Sequence, residues 1–352
     1  IQTLRARIGG RNLKLIVQIP CFNEAETLPA TIAAIPRRIA GIDRVEILVI
    51  DDGSSDGTSD IARAHGSEHV VRHARNRGLA ASFATGIDAC LKQGADIIVN
   101  TDGDNQYEGA DIALLVQPIL EGRADIVIGD RQTATVEHFS RTKRLLQSLG
   151  SRIVRLLSRT DVPDAVSGFR AISRDAALRL NIVSGFSYTI EMLIQAGRKR
   201  MAIVSVPVRT RAVTRESRLF KTIPGFLQQS LATMLRIYAM YRPLKLFALA
   251  GAVLLVIGLL PILRFLWFYA EGEGGGHIQS LILGGVLVTI AVFVFLIGLV
   301  ADLIGFNRQL LEATLAKVRA LELQLARMEQ DAARDRPVAA PGAVERDRVG
   351  QR

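Results

Sequence analysis

The sequence predicts an α/β domain with a mainly parallel sheet, followed by a two-helix transmembrane hairpin and a short cytosolic helix. Two observations carry this prediction. Between residues 14 and 208, short β-branched segments alternate with amphipathic helical patterns, which is typical of a parallel α/β sheet. Toward the C-terminus of the 352-residue chain, two apolar runs each approach the ~20 residues that span a bilayer as a helix.

Four short apolar segments are predicted to form strands that are buried on both faces. They are KLIVQI (14–19), VEILVI (45–50), DIIVN (96–100) and DIVIG (125–129). Amphipathic helices are predicted between them, for example at Glu26–Arg38 and Leu79–Leu91. Ligands of parallel sheets bind at the carboxyl ends of the strands. We therefore expect a binding site in the polar segments that follow the first three strands, PCFNEAE, DDGSSDGT and TDGDNQ.

The segment after the third predicted strand is a candidate metal site. Asp102 and Asp104 are two residues apart, so their carboxylates face the same way if the chain is extended, with Gln106 close by. Carboxylate oxygens suit Mg²⁺ or Mn²⁺, and Mg²⁺ usually leaves coordination positions for ligand phosphates. Asp and Gly are also typical of tight turns, so this spacing alone leaves both interpretations open.

The loops after the first two predicted strands offer groups that suit a nucleobase. Asp51 ends the second strand and could accept a hydrogen bond from a base N–H. Pro20 and Phe22 could wall the base, and Asn23 and Glu24 could make polar contacts with it. Helix capping explains Asn23 and Glu24 equally well at this stage.

The two apolar runs, Leu246–Phe268 and Ile278–Ala301, are predicted to cross a membrane. Two buried core helices are the alternative, but such helices normally carry a polar stripe and these runs show almost none. Lys and Arg flank the pair, whereas the connecting loop 271–277 has neither, which predicts that both termini are cytoplasmic. The absence of an apolar segment at residues 1–14 and the presence of only two cysteines agree with a cytosolic domain on the inner cell membrane.

The rest of the chain divides by composition. A basic connector with an amphipathic helix is predicted to lie in the membrane interface, although an ordinary helix packed on the domain has the same pattern. A seven-residue repeat then favours a short coiled coil and homo-oligomerisation, or equally a single surface helix. The predicted segments are 1–210 (α/β domain), 211–243 (connector), 244–306 (two transmembrane helices), 307–330 (coiled coil) and 331–352 (disordered tail).

The net charge of the chain limits the classes of partner that we expect it to bind. A formal net charge of +10 suits nucleic acid, anionic lipid or phosphorylated ligands. Aromatic residues make up only 5% of the chain, and no nucleic-acid-binding motif is present, so we expect no nucleic acid partner. Membrane and phosphate partners remain.

Six segments, taken in order, resemble a known family. They are IPCFNEAETL, VIDDGSSDGT, NRGLAASFATGID, TDGDNQ, ADIVIGDR and VSGFRAISR. This set is similar to the glycosyltransferase family 2 domain of the polyprenyl- or dolichyl-phosphate sugar synthases, from about residue 15 to residue 219. The resemblance implies a GT-A fold and an inverting transfer of a sugar from a UDP- or GDP-linked donor to a polyprenyl phosphate.

The resemblance also implies roles for individual residues. Asp102 and Asp104, with Gln106, would hold Mg²⁺ or Mn²⁺ on the donor diphosphate, and Arg131 and Arg170 would bind the acceptor phosphate. The nucleotide sugar would contact Pro20, Phe22, Asn23, Glu24, Val49, Asp51 and Asp102.

A basic motif of the form R-x-x-G-x-S-K-L closes over the donor diphosphate in the family. This chain has RAVTRESRL (211–219), one residue longer, with Arg215 in place of the Gly and Arg218 in place of the Lys. Arg makes bidentate phosphate contacts that Lys cannot, so the charge is kept while the geometry changes. We expect Arg211 and Arg218 to bind the diphosphate.

The resemblance leads to a simple mechanism. A phosphate monoester is already an anion at neutral pH, so it needs orientation more than a general base. Arg131 and Arg170 would orient it toward the anomeric carbon, while the metal and Arg218 would neutralise the leaving diphosphate. Asp104 would act mainly as a metal ligand.

Three other functions fit the sequence less well. A processive polysaccharide synthase of the same superfamily needs a Q-x-x-R-W motif, but the single tryptophan, Trp267, lies in the first apolar run without that motif. An inactive membrane scaffold would be expected to lack the metal ligands, whereas Asp102, Asp104 and Gln106 are all present. A hydride-transfer enzyme is disfavoured because no G-x-G-x-x-G follows the first strand.

Overall fold

A computed structural model describes residues 12–132, 162–182, 188–211, 239, 242–272 and 274–334. Within these residues the N-terminal domain contains a seven-stranded mixed sheet. The strands are β1 (Lys14–Cys21), β2 (Arg44–Asp51), β3 (His69–Arg72), β4 (Ile97–Asn100), β5 (Ile126–Asp130), β6 (Arg170–Ser173) and β7 (Ile203–Pro207). In the described part of the domain the α-helices are α1 (Leu28–Ala34), α2 (Thr58–Ala64), α3 (Leu79–Lys92), α4 (Ile112–Leu120), α5 (Arg174–Arg179) and α6 (Tyr188–Arg198).

The order of the strands places several loops at one edge of the sheet. The order is β3-β2-β1-β4-β6-β5-β7, and β1 to β4 pair in parallel. Strand β6 is antiparallel to both β4 and β5, and β7 is parallel to β5. The carboxyl ends of β1, β2, β4, β5 and β7 therefore meet the start of β6. The four predicted strands are confirmed, and the sheet is mainly parallel as expected.

The core fills both faces of the sheet because the strands are apolar on both sides. On β1, Val17 packs in a cluster with α1 and α4 on one face of the sheet. The preceding residue, Ile16, packs in a second cluster with α3, α5 and α6 on the other face. Phe83 of α3 and Met192 of α6 are fully buried in that second cluster. A sheet covered on both faces holds its edge loops on a rigid base, and those loops carry the site.

Two long apolar helices follow the domain. Helix α7 (Pro243–Ala270) and helix α8 (Ile278–Arg334) are each long and apolar enough to cross a membrane. Most of their large apolar side chains are exposed, as expected for surfaces that face lipid rather than a protein core. Both predicted apolar runs are confirmed as long apolar helices, and their insertion in a membrane stays a prediction.

Small residues let the two apolar helices approach closely. A Cβ on Gly251 of α7 would lie 3.1 Å from the carbonyl oxygen of Ala291 on α8. A Cβ on Gly258 would lie 3.0 Å from the backbone nitrogen of Val288. Glycine at these positions permits backbone contact, which is how apolar helices associate without a hydrophobic driving force between them.

Helix α8 is one unbroken helix of 57 residues. The predicted helix at 307–330 is therefore the continuation of the second apolar run, and residues 331–334 of the expected tail are helical. Three expectations lie outside the described residues: the interfacial helix in the connector, the remainder of the tail and the position of Arg218.

Candidate active site

The loops after β1 and β2 are joined to each other by hydrogen bonds. The backbone N–H of Asn23 donates to Ser54 Oγ at 2.9 Å, and Asn23 Oδ1 accepts from the N–H of Ser55 at 3.0 Å. The N–H of Ala25 donates to Asp56 Oδ2 at 3.0 Å. Asn23 has a φ of +55°, a left-handed conformation that asparagine tolerates better than most residues. The side chain of Asn23 thus shapes the loop, whatever else it contacts.

The residues expected around the nucleotide divide into exposed and buried groups. Phe22 is 39% exposed at the edge of the sheet, where its ring could stack on a base. Pro20 and Asp51 are buried. Val49 is buried as well, in the core cluster between the sheet and helices α1 and α4. Asp51 accepts a 2.8 Å hydrogen bond from the N–H of Ser54. In this arrangement Pro20, Val49 and Asp51 have little exposed surface for a ligand.

The segment after β4 is a turn and does not stay extended, contrary to the geometry from which we paired its carboxylates. Asn105 has a φ of +58°, and the N–H of Gln106 donates to Asp104 Oδ1 at 3.1 Å. An aspartate that accepts a hydrogen bond from the residue two positions on is typical of such turns. Asp104 nevertheless remains close enough for its charge to raise the pKa of Asp102.

The electrostatics of this acidic pair suit a divalent cation. Burial and the neighbouring charge of Asp104 raise the pKa of Asp102 to about 7. Burial also raises the pKa of Asp104. Two half-buried carboxylates whose charged forms are disfavoured gain from a bound cation. Within the described residues, no cluster of three or more His, Cys, Asp or Glu side chains could hold a metal, so a cation at this pair would need other oxygens, such as those of a diphosphate.

A buried polar network lies beneath the acidic pair. Asn100, at the end of β4, donates from Nδ2 to the carbonyl of Gly168 at 2.8 Å and to the hydroxyl of Tyr188 at 3.2 Å. Gln18 on β1 donates to Asn100 Oδ1 at 2.9 Å. A Cβ on Gly168 would lie only 2.9 Å from Asp102 Oδ2. Gly168 therefore leaves the space that the Asp102 carboxylate occupies.

Arg131 follows β5 and is held by a carboxylate. Its Nε donates to Asp164 Oδ2 at 2.7 Å and its Nη2 donates to Asp164 Oδ1 at 3.0 Å. Asp164 is almost fully buried, whereas the side chain of Arg131 keeps 26% of its surface exposed. This bidentate pair fixes the guanidinium at the site edge and leaves part of it open to a ligand.

Arg170, the first residue of β6, does not lie at the surface. It is fully buried, and its guanidinium donates to the backbone carbonyls of Ser167 at 2.7 Å, Thr189 at 2.9 Å and Ala165 at 2.7 Å. Burial lowers its pKa to about 10, so it stays charged at neutral pH. The expected contact with an acceptor phosphate lacks exposed surface here. Arg170 instead holds the loop before β6, and its charge lowers the pKa of Asp102 against the larger effect of burial.

Arg211 is the one residue of the predicted basic motif within the described part of the chain. Its N–H donates to the carbonyl of Gln106 at 2.8 Å, and its guanidinium bonds Asn105 Oδ1 and pairs with Glu108 at 3.0 Å. The start of the motif is thus fastened to the turn that carries Asp104. This contact places Arg211 at the same edge of the sheet as the acidic pair.

Sequence reasoning did not single out Asn100, Asp164, Gly168 or Tyr188. Gly168 lay inside a recognised motif, VSGFR, but nothing in the spacing showed that it contacts a carboxylate 66 positions earlier. The contact exists because β6 enters the sheet antiparallel to β4, with Asn100 paired to Arg170. Only that topology brings the loop before β6 beside Asp102.

Comparisons with known proteins agree with this architecture. Residues 16–180 match the model of the family described as Glycosyl transferase family 2. An uncharacterized glycosyltransferase of Mycobacterium tuberculosis is 32% identical over 193 residues, which are 54% of this chain and 83% of that protein. This chain belongs to glycosyl transferase family 2.

A further relative and a solved structure extend the comparison of this family 2 glycosyltransferase. The undecaprenyl-phosphate mannosyltransferase of Micrococcus luteus is 27% identical over 206 residues, which are 56% of this chain and 83% of that protein. The glucosyl-3-phosphoglycerate synthase of Mycobacterium tuberculosis superposes with a TM-score of 0.51 at 26% identity, covering 67% of this chain and 83% of that one. Crystals of the same enzyme also contain Mn²⁺ and UDP-glucose. The expected GT-A-like fold of the domain is thereby confirmed.

Proposed function

We propose that this family 2 glycosyltransferase moves a sugar from a UDP- or GDP-linked donor to a polyprenyl phosphate at the inner cell membrane. The catalytic domain and the C-terminus lie on the cytosolic side, and α7 and α8 form the transmembrane hairpin. The relative from Micrococcus luteus, whose name gives undecaprenyl phosphate as its acceptor, supports this choice.

The observation that carries the proposal is a physical link between the membrane-length hairpin and the catalytic domain. Glu312 of α8 pairs with Lys199 at 3.1 Å, just beyond α6. Arg308 of α8 lies 3.8 Å from Glu191, a buried residue of α6. Because these pairs fasten α8 to the domain that carries the acidic pair, the site stays near a lipid surface. A lipid-linked acceptor can reach a site held in that way.

The residues act mainly by binding and orientation. A bound Mg²⁺ or Mn²⁺, held by Asp102 and Asp104 with Gln106 next to them, would neutralise charge on the departing nucleotide diphosphate. Arg211 and the following Arg218 bind that diphosphate, and Phe22 stacks on the base. Arg131, fixed by Asp164, orients the acceptor phosphate toward the anomeric carbon.

Arg170 has a different part in this proposal from the one that the sequence suggested. It ties the carbonyls of Ala165 and Ser167, in the loop before β6, to that of Thr189 in α6, so we assign it a positioning role. Its buried positive charge also favours the ionised form of Asp102. Direct binding of the acceptor phosphate is assigned to Arg131.

The test uses the full chain in lipid vesicles that contain undecaprenyl phosphate. Mn²⁺ or Mg²⁺ and a panel of UDP- and GDP-sugars are added, and a lipid-phosphate sugar is sought by mass spectrometry. The Asp104→Asn variant should lose turnover by at least about 100-fold, the scale of removing one charge-stabilising group. Asp60→Asn is the matched control, since the side chain of Asp60 is 85% exposed and lies in α2, outside the segment that carries Asp104. No product with any donor, or full activity in Asp104→Asn, would contradict the proposal.

A soluble phosphorylated acceptor is the second candidate. The structural likeness to a glucosyl-3-phosphoglycerate synthase solved with phosphoglyceric acid favours it. The same reaction is therefore run with 3-phosphoglycerate in place of the lipid. Transfer to 3-phosphoglycerate alone would replace the lipid proposal, whereas transfer to the lipid alone would exclude the soluble acceptor.

A further inference from the structure

Beyond its apolar part, helix α8 uses one face to contact the catalytic domain. Glu312 pairs with Lys199 at 3.1 Å, and Arg319 donates to the carbonyl of Leu180 at 3.2 Å. Leu323 packs against the core cluster that contains α3, α5 and α6. These contacts recur at spacings of seven and four residues, so they lie on one side of the helix. We call this side of the helix, with Glu312, Arg319 and Leu323, the docked face.

The opposite face of the same segment is apolar and exposed. Its residues repeat every seven positions in two series, and the five apolar ones are 43% to 71% exposed. We call them the heptad face: Leu311, Thr314, Val318, Leu321, Leu325 and Met328. No docked-face residue belongs to this set. An apolar stripe of this regularity, left in water, marks an interaction surface.

We propose that the heptad face binds the heptad face of a second copy of this chain, forming a parallel two-stranded coiled coil. If Leu311, Val318 and Leu325 are a positions, then Thr314, Leu321 and Met328 are d positions. In a parallel pair, residue g of one helix lies beside residue e of the next heptad in the other helix. That rule pairs Lys317 of one copy with Glu322 of the other, twice by symmetry, and brings no like charges together.

Several features favour a second copy over other occupants. This step rests on the membrane insertion proposed above, because two α8 helices that cross one bilayer in the same direction emerge parallel. Met328 lies about 40 Å along the helix from Ala301, at 1.5 Å per residue, so lipid covers little of the heptad face. A segment this short is marginal as an isolated coiled coil. Here α8 is already helical to Arg334, and confinement to a membrane raises the effective concentration of the partner.

The docked face and the heptad face do not compete for the same surface. Each catalytic domain can stay on the outer side of its own helix while the two helices pair. The proposed dimer therefore holds two catalytic domains at fixed positions beside a central coiled coil. Neither Asp102 nor Arg131 takes part in that interface, so dimerisation can be tested without altering the site.

Cysteine cross-linking of the full chain in vesicles tests the pairing directly. Leu321→Cys, at a d position, should form a disulfide-linked dimer on mild oxidation. Ala313→Cys, exposed on α8 at a c position, is the matched control and should not. The two natural cysteines, Cys21 and Cys90, are both buried, so they give little background. Equal cross-linking of the two variants, or none in either, would overturn the proposal.

A charge substitution provides an independent readout. Leu321→Asp should raise the dissociation constant of the dimer at least about tenfold, since burying one leucine contributes roughly the free energy of a tenfold change in that constant. Ala313→Asp adds the same charge outside the interface and should keep the dimer, as measured by mass photometry in lipid nanodiscs. Because Leu321 is 57% exposed in the single chain, the substitution should not unfold it.

The remaining occupants give distinct results. In vesicles, Leu321→Cys without cross-linking but protected from a water-soluble maleimide would assign the heptad face to lipid. Ready labelling of that cysteine by the maleimide, again without a cross-link, would show an uncovered helix. Either result overturns the proposal. Transferase activity measured on the same samples keeps a failure of dimerisation separate from a failure of the proposed function.

Discussion

Replacement of Gly168 by alanine should displace a proposed metal ligand without adding charge. The new Cβ would lie 2.9 Å from Oδ2 and 3.0 Å from Oδ1 of Asp102, and 3.2 Å from the hydroxyl of Tyr188. Ordinary carbon contacts begin near 3.4 Å, so the Asp102 carboxylate would have to move by about 0.5 Å. Tyr188 cannot yield easily, because it is buried and stacked on Phe83 with ring centroids 4.1 Å apart.

A shift of that size sets the expected loss of activity. Misplacement of a catalytic group by about 1 Å can cost about 100-fold in rate, so half that distance should cost about tenfold, or ~1.4 kcal/mol. The assay is the initial rate of sugar transfer at increasing Mn²⁺ concentration, measured for the variant and the wild-type protein. Gly168→Ala should need more Mn²⁺ for half-maximal rate, because one carboxylate no longer lies where it is needed.

The control and the refuting result are both defined by the structure. Gly275→Ala places its Cβ in open space in the loop between α7 and α8, so its rate should match the wild-type rate. Thermal unfolding of both variants shows whether the domain has kept its fold. A Gly168→Ala protein with unchanged unfolding, unchanged rate and unchanged Mn²⁺ response would refute the assignment of Asp102 to the site.

Two further predictions concern the ion pairs of the domain. Asp164→Asn keeps the side-chain shape but removes the charge that fixes Arg131. It should raise the KM for the acceptor phosphate about tenfold and leave the KM for the donor unchanged, as measured by steady-state kinetics. Equal rises in both constants would contradict the role of Arg131. Burial would raise the pKa of Glu46, but hydrogen bonds from His69 and Lys14 outweigh burial and hold the pKa below the ordinary 4.5. The ionised Glu46 carboxylate therefore stabilises the fold fully above pH 4.5, and this stabilisation is lost as the pH falls below that value. Glu46→Gln should lower the unfolding temperature at pH 7 and differ less from the wild type in acid. A difference in unfolding temperature that grows in acid would contradict this reasoning.

Local patterns in the sequence were enough to predict the elements and the acidic pair. The four apolar segments became β1, β2, β4 and β5, and both apolar runs became membrane-length helices. Such elements are predictable because side-chain periodicity and run length are properties of neighbouring residues. The position of Asp102 at a carboxyl end followed from the parallel sheet alone.

The contacts that shape the site needed the tertiary structure. Gly168 meets Asp102, and Asp164 holds Arg131, only because the segment before β6 returns to the same edge of the sheet. The sequence also does not show that Arg170 points inward, since a buried arginine depends on carbonyl groups that other loops supply. The sequence also predicted an extended segment at Asp102 and Asp104, whereas the structure has a turn at Asn105.

The same division holds for the C-terminal helix. A seven-residue repeat of apolar residues in the sequence determined that one face of α8 would be a stripe, because that repeat depends only on helical geometry. Which face contacts the catalytic domain was decided by the fold, through Lys199 and Leu180, which lie more than 100 positions earlier in the chain. Spacing along a chain determines which residues share a face, but only packing between distant segments determines what that face touches.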